Sequence, residues 1–157
     1  MAIFRDDGRP TALRYYVRCS DQWHTAEAHV RGWRGAEPID LHIGRDPQNR
    51  WSLNHVACPA VTGCMELDLN FTPATNLPPL RRLELAVGLM AEVRSAWLEW
   101  PAAVLRPLVQ RYTRESVGTY HYEADLPDGD TFAGTLHVDS FGWVLDYPGL
   151  WQAEAAV

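Results

Sequence analysis

The chain has 157 residues, 46% of them hydrophobic and 22% charged, with a formal net charge of −6. That is the makeup of an ordinary globular protein, long enough for a single domain over residues 1–157 that buries about 70% of its unfolded surface. The acidic balance argues against a general nucleic-acid binder, and the complete absence of lysine excludes Schiff-base chemistry and the phosphate-cradling Walker lysine.

Met1 to Pro10 has neither the apolar core nor the basic start of a secretory signal, and no apolar run is long enough to span a membrane. Residues 1–12 read as a loosely ordered N-terminal arm. Cys19, Cys58 and Cys64 are odd in number and form no Cys-x-x-Cys unit, which suits reduced thiols and a cytoplasmic setting. Residues 24–33 alternate, with Ala26, Ala28 and Val30 on one face and Thr25, Glu27, His29 and Arg31 on the other. Residues 37–44 and 50–56 bracket the Asp46-Pro47 turn as a hairpin.

Residues 63–83 are the most informative stretch. Met65, Leu67, Leu69 and Phe71 alternate with Glu66, Asp68 and Asn70, which predicts a strand with one dry and one wet face. The segment then breaks into Thr72-Pro73-Ala74-Thr75-Asn76 and ends in Arg81-Arg82, so that carboxylate, amide, hydroxyl and guanidinium groups arrive at one place. Over residues 86–100 the pattern is divided. Ala86, Met90, Val93, Trp97 and Trp100 make a helical stripe, whereas a strand would align Ala91, Val93, Ser95 and Trp97. Gln110, Tyr112 and Arg114 share one strand face with Arg111 opposite, residues 118–126 and 131–138 bracket Asp128-Gly129 as a second hairpin, and Trp143 to Tyr147 make a last strand. Strands at this density imply an antiparallel sandwich, barrel or half-barrel.

Enzymatic signatures are sparse. The six histidines form no His-x-x-x-His or Cys/His cluster, so no metal is expected. A Gly-x-Ser-x-Gly elbow and a glycine-rich phosphate loop are both missing, and neither a catalytic residue nor a cofactor is expected. If the hairpin closes around Pro47-Gln48, Asp40 falls near His55 as a candidate general-base pair.

Gly63-Cys64 leading into Glu66-Leu67-Asp68-Leu69, then Thr72-Pro73-Ala74-Thr75-Asn76-Leu77-Pro78 and Arg81-Arg82-Leu83, followed by Gln110-Arg111-Tyr112-Thr113-Arg114, Tyr120-His121-Tyr122 and Asp146-Tyr147-Pro148-Gly149-Leu150, resemble the putative glycolipid-binding family of bacterial proteins. The resemblance runs from about Leu13 to Trp151. It implies an all-β fold, mostly antiparallel, with a curved sheet or half-barrel and few short helices, and it makes Ala91 to Trp100 a strand. It further implies a glycolipid or other amphiphile as the partner, its acyl chain in an apolar half-barrel. The head group would be held among Asp68, Asn70, Thr72, Thr75, Asn76, Arg81, Arg82, Gln110, Arg111, Tyr112, Arg114, Tyr122, Asp146 and Tyr147. A small hydrolase or isomerase acting on an amphiphile through a carboxylate–histidine pair stays open as the second reading, and an interaction domain without a small ligand as the third.

Overall fold

A computed structural model of the chain describes residues 1–154. It is mostly β, in two sheets. The first holds six strands in chain order, each antiparallel to the next: β1 (Ala2–Asp6), β2 (Arg9–Cys19), β3 (Thr25–Arg34), β4 (Glu37–Arg45), β5 (Trp51–Leu53) and β6 (Val56–Ala57). Residues 2–6, expected within a loose arm, instead form β1, with Ala2 opposite Leu13 and Asp6 opposite Arg9. Their anchor is nonlocal: the Asp6 carboxylate accepts from Arg34 and from the Trp100 indole at 3.1 Å. The β4–β5 turn closes as its sequence predicts, because Asp46 accepts from the backbone N–H groups of Gln48 and Arg50, both at 2.9 Å.

The second sheet has seven strands in the order β13-β12-β11-β10-β9-β8-β7, and it curls into a half-barrel. Its members are β7 (Leu67–Leu69), β8 (Met90–Glu99), β9 (Val104–Ser116), β10 (Thr119–Asp125), β11 (Thr131–Val138), β12 (Val144–Tyr147) and β13 (Trp151–Gln152). Every neighbouring pair is antiparallel except β7–β8. Between β7 and β8 the chain makes a 3-10 turn (Pro73–Asn76) and the α-helix of the described residues, α1 (Leu77–Leu83), which covers one end of the concave face.

Residues 90–99 are therefore a strand, as the resemblance implied and against the helical stripe. The period of two is kept only in the first half of β8, where Met90, Glu92 and Arg94 are exposed; beyond it Ser95, Ala96, Trp97 and Leu98 are all buried. Val93 and Trp97 face the concave core while Ala96 and Leu98 join the core between the sheets. A strand buried on both faces loses its period of two and reads as a continuous apolar run.

The same geometry corrects the reading of residues 65–71. Leu67 and Leu69 enter the inter-sheet core with Cys64, as the alternation predicts, and Phe71 packs against it. On the opposite face only Asn70 is exposed, as expected. Glu66 is 1% exposed and Asp68 is half-buried, because that side looks into the half-barrel rather than into solvent. Two cores result. One lies between the sheets (Leu13, Val30, Ile43, Trp51, Leu67, Leu98), and the other fills the concave face beneath α1 (Leu80, Val93, Tyr112, Tyr120, Leu136, Val144).

Candidate ligand-binding site

The concave face is packed solid at the α1 end and open at the other, where a cavity of about 360 Å³ remains. Its apolar walls are Trp97, Leu108, Ala124, Leu126, Phe132, Leu150 and Trp151. Phe132 is half-buried, Leu150 is 63% exposed and Trp151 39% exposed, so these residues stand toward the mouth. The polar lining comes from Asp68, Asn70, Thr72, Asn76, Tyr122 and Tyr147, with Gln110 immediately behind.

Asp68, on β7, lies beside the β9 and β10 side chains. Its Oδ2 accepts from Gln110 Nε2 at 2.5 Å. Gln110 is 1% exposed and fully committed: Nε2 also donates to the Tyr122 hydroxyl at 2.7 Å, and Oε1 accepts from Ser95 Oγ at 2.5 Å. Burial pushes the Asp68 carboxyl up to about 6, with only the Gln110 amide opposing. Burial also raises the Tyr122 and Tyr147 phenols, and the Asp68 charge raises them further, so both stay protonated. The Tyr147 ring fits because it lies over a glycine of β11: a Cβ on Gly134 would stand 2.7 Å from Tyr147 Cε2.

Thr72-Pro73-Ala74-Thr75-Asn76 builds the floor. Thr72 caps the 3-10 turn by accepting from Ala74 N–H at 3.3 Å, and its hydroxyl meets that of Tyr15 at 2.7 Å. Pro73 occupies a first-turn position, where a missing N–H costs nothing. Thr75, buried below the lining, accepts from Leu69 N–H at 3.2 Å. Asn76 donates to the Pro73 carbonyl at 3.0 Å and accepts from the Tyr112 hydroxyl at 2.8 Å.

The arginines stand elsewhere. Arg82, in the last turn of α1, pairs with the buried Glu66. Arg111 lies on the outer face, bound to Asp125 at 2.5 and 2.9 Å and to Glu123 at 3.5 Å. Arg114 donates to the carbonyls of Leu85, Ser116 and Val117 at 2.7, 3.2 and 2.9 Å. Arg81 stacks against Trp23 and Phe141, its guanidinium carbon 5.6 and 4.8 Å from the ring centroids. Asp146 sits on β12 opposite His137, outside the lining. Six of the fourteen expected residues thus line the cavity, and Gln110, Tyr112 and Thr75 support those that do. Trp97, Leu108, Leu126 and Phe132 escaped the sequence reading; the strand alternation of β8 to β11 was their signal, masked on β8 by double burial.

Two other features lie apart. A wider cleft of about 740 Å³ runs between β2 and α1, lined by Tyr15, Trp23, Leu77, Pro78, Phe141 and Trp143 and, on its polar side, by Ser20, Asp21 and the expected site residue Thr75. On the outer face of the first sheet, Asp40 pairs with His29 at 2.6 Å rather than with His55, which stacks on His42 at 5.2 Å. The register puts His29 on β3 next to β4, so it reaches Asp40 first. Asp40 is exposed, and its carboxyl is held below the usual range first by His29 and then by Arg31. Among the described residues no group of three or more His, Cys, Asp or Glu gathers at metal-binding distance, and no helix is long and apolar enough to cross a membrane.

The second sheet is thus an all-β half-barrel whose concave face holds a cavity with apolar walls and a polar base. The chain belongs to the family described as putative glycolipid-binding, whose model matches residues 1–153. A crystal structure of a DUF1089 family protein from Pseudomonas aeruginosa is similar, at 36% identity over 97% of this chain and 83% of that one, with a TM-score of 0.84. No functionally curated protein matches.

Proposed function

We propose that this protein binds an amphiphile, of the glycolipid type its family description suggests, in the cavity on the concave face of the second sheet. The observation that carries the reading is the meeting, in one cavity of about 360 Å³, of apolar walls with a cluster of polar side chains at its base. Each methylene transferred from water to such walls contributes roughly 0.8 kcal/mol, enough to hold a short chain against the cost of ordering it. The polar contacts come from Asp68, Asn76, Tyr122 and Tyr147, supported by Gln110. The arginines of the family motifs serve the scaffold instead. Three free thiols, Cys19, Cys58 and Cys64, support a reducing, cytoplasmic setting for this binding.

Native mass spectrometry of freshly purified protein, followed by solvent extraction of what it carries, tests the reading directly. A co-purified or titratable amphiphile whose binding is lost in Ala124→Trp, which fills the cavity, is the expected result. Binding that survives Ala124→Trp but is lost on blocking the cleft at Trp23 and Trp143 would move the site to that cleft.

A further inference from the structure

We propose that the cavity on the concave face is also a site of proton transfer, in which Asp68 moves a proton between two carbons of a small, uncharged ketone while Tyr122 and Tyr147 hold the enolate oxygen. The inference goes beyond the amphiphile reading. It uses the same cavity but requires only that a carbonyl compound with an acidic C–H bond enters it.

The base is Asp68, the one carboxylate in the lining. Its Oδ2 accepts from Gln110 Nε2 at 2.5 Å, whereas Oδ1 has no hydrogen-bond partner among the described residues and is not sealed within the protein. Apolar walls of Trp97, Leu108 and Phe132 surround it. A carboxylate so poorly solvated is a stronger base than one in water. Burial raises its carboxyl to about 6 with no cation among the causes, so it is still ionised at neutral pH yet holds a proton more readily than an exposed aspartate.

The donors follow from counting protons. A carboxylate only accepts, so Gln110 turns its Nε2 toward Asp68, and the Ser95 hydroxyl donating to Oε1 at 2.5 Å fixes that orientation. The other Nε2 proton goes to the Tyr122 oxygen at 2.7 Å, which leaves the Tyr122 proton to be given to a guest. The Tyr147 ring lies 6.3 Å from that of Tyr122, and its hydroxyl has no partner among the described residues. Burial holds both phenols above their usual range, so each keeps its proton at neutral pH. Base and donor are thus tied to one amide nitrogen. An α-carbon and its carbonyl oxygen are two bonds apart, so neighbouring groups can serve both at once.

In the step itself, Asp68 Oδ1 takes the proton from the carbon next to the carbonyl. The C–H electron pair becomes a new C=C bond, and the carbonyl π pair moves onto oxygen, which accepts from Tyr122 and Tyr147. In a β,γ-unsaturated ketone the protonated Asp68 then returns the proton to the γ-carbon, giving the conjugated isomer and restoring the carboxylate. No co-reactant is consumed. The single negative charge moves from Asp68 to the enolate oxygen and back, so none is created in the apolar cavity. Hydrolysis fits less well, because Thr72, the hydroxyl nucleophile of the lining, is engaged by Tyr15 and by Ala74 N–H.

The test uses a β,γ-unsaturated cyclohexenone, its conversion to the conjugated isomer read by ultraviolet absorbance, and cyclohexanone in heavy water, its α-deuteration read by NMR. The intact protein is expected to speed both by at least about a hundred-fold over an equal concentration of acetate. Asp68→Asn should remove about a hundred-fold or more of the rate while the variant stays folded by circular dichroism. Tyr147→Phe should lower kcat by about ten-fold or more with little change in KM. The charged or titratable groups that feel Asp68 are the phenols of Tyr112, Tyr122 and Tyr147, all raised, so the rate should climb through about pH 6 and then stay level across the neutral range. Turnover that survives Asp68→Asn or the cavity-filling Ala124→Trp would overturn the inference, as would a flat profile across pH 6. A folded protein that moves no proton in either ketone would also overturn it, and an amphiphile retained in native mass spectrometry would then leave the binding reading standing. Turnover by a protein that neither carries nor takes up an amphiphile would do the reverse.

Discussion

Residues of the same type do different work here according to what surrounds them. Arg50 pairs with Asp46 in water, and Arg82 pairs with a Glu66 that has almost no contact with water. An exposed pair is worth at most about 1 kcal/mol, whereas removing one member of a buried pair strands a charge and costs about 3–5 kcal/mol. Arg82→Ala is therefore expected to lower stability by about 3–5 kcal/mol in urea denaturation, and Arg50→Ala by less than about 1. Similar losses from both would show that Glu66 finds another partner. Asp68 presents the reverse case, a half-buried carboxyl without a cation. Its folded value of about 6 lies above the ordinary 3.8, so the native state holds the proton more tightly than the unfolded chain does. Stability is thus full below about pH 4 and falls as pH rises through 6. Asp68→Asn keeps an acceptor for Gln110 and removes the charge. It should be neutral at pH 3.5 and stabilising at pH 8 by up to about 3 kcal/mol. A site that gains stability when its central charge is deleted is one that carries that charge for another reason.

Among the elements, β7 is the hinge of the design. It is three residues long and parallel to β8, with its other edge facing away from the sheet. That edge would expose two amides. Leu67 N–H is taken by Thr25 Oγ1 at 3.1 Å and Leu69 N–H by Thr75 Oγ1 at 3.2 Å, so a threonine from the first sheet and one from the turn before α1 stand in for a missing strand. The Thr-Pro-Ala-Thr-Asn motif thereby acquires a structural meaning: it closes the edge and carries α1 over the concave face. Thr75→Val preserves volume but leaves Leu69 N–H buried and unsatisfied. An expected cost of about 1–3 kcal/mol would register as a lowered denaturation midpoint and as faster amide exchange at Leu69. Unchanged exchange at Leu69 would mean that another acceptor replaces the hydroxyl.

For the whole molecule, binding should appear as added stability. Ligand at a hundred times its dissociation constant contributes about 2.7 kcal/mol, which for a chain of this length corresponds to a rise in melting temperature of about 5–10 °C. An amphiphile that binds by calorimetry yet leaves the melting temperature unmoved would indicate equal affinity for the unfolded chain, hence association with exposed apolar surface rather than with the cavity. The charge distribution suits this use. The basic side chains of the family motifs are spent on Glu66, on the outer carboxylates Glu123 and Asp125 and on backbone carbonyls, which keeps the concave face free of cations.

The sequence by itself determined what is local. The Asp46 and Asp128-Gly129 turns close between strands whose alternation was legible, and Leu67 and Leu69 entered the core by their spacing. Turn chemistry and two-residue periodicity act over a few residues, so they survive in one dimension. Tertiary structure alone decided the rest. Whether the second face of β7 meets water or a cavity depends on α1 and on β9 to β12, tens of residues away. The same uncertainty gave β8 a false helical stripe. Arg111 and Gln110 are adjacent in sequence, yet one lies outside among carboxylates and the other at the base of the site. A strand assigns its side chains to two faces, and only the packing of the sheets says which of those faces is solvent.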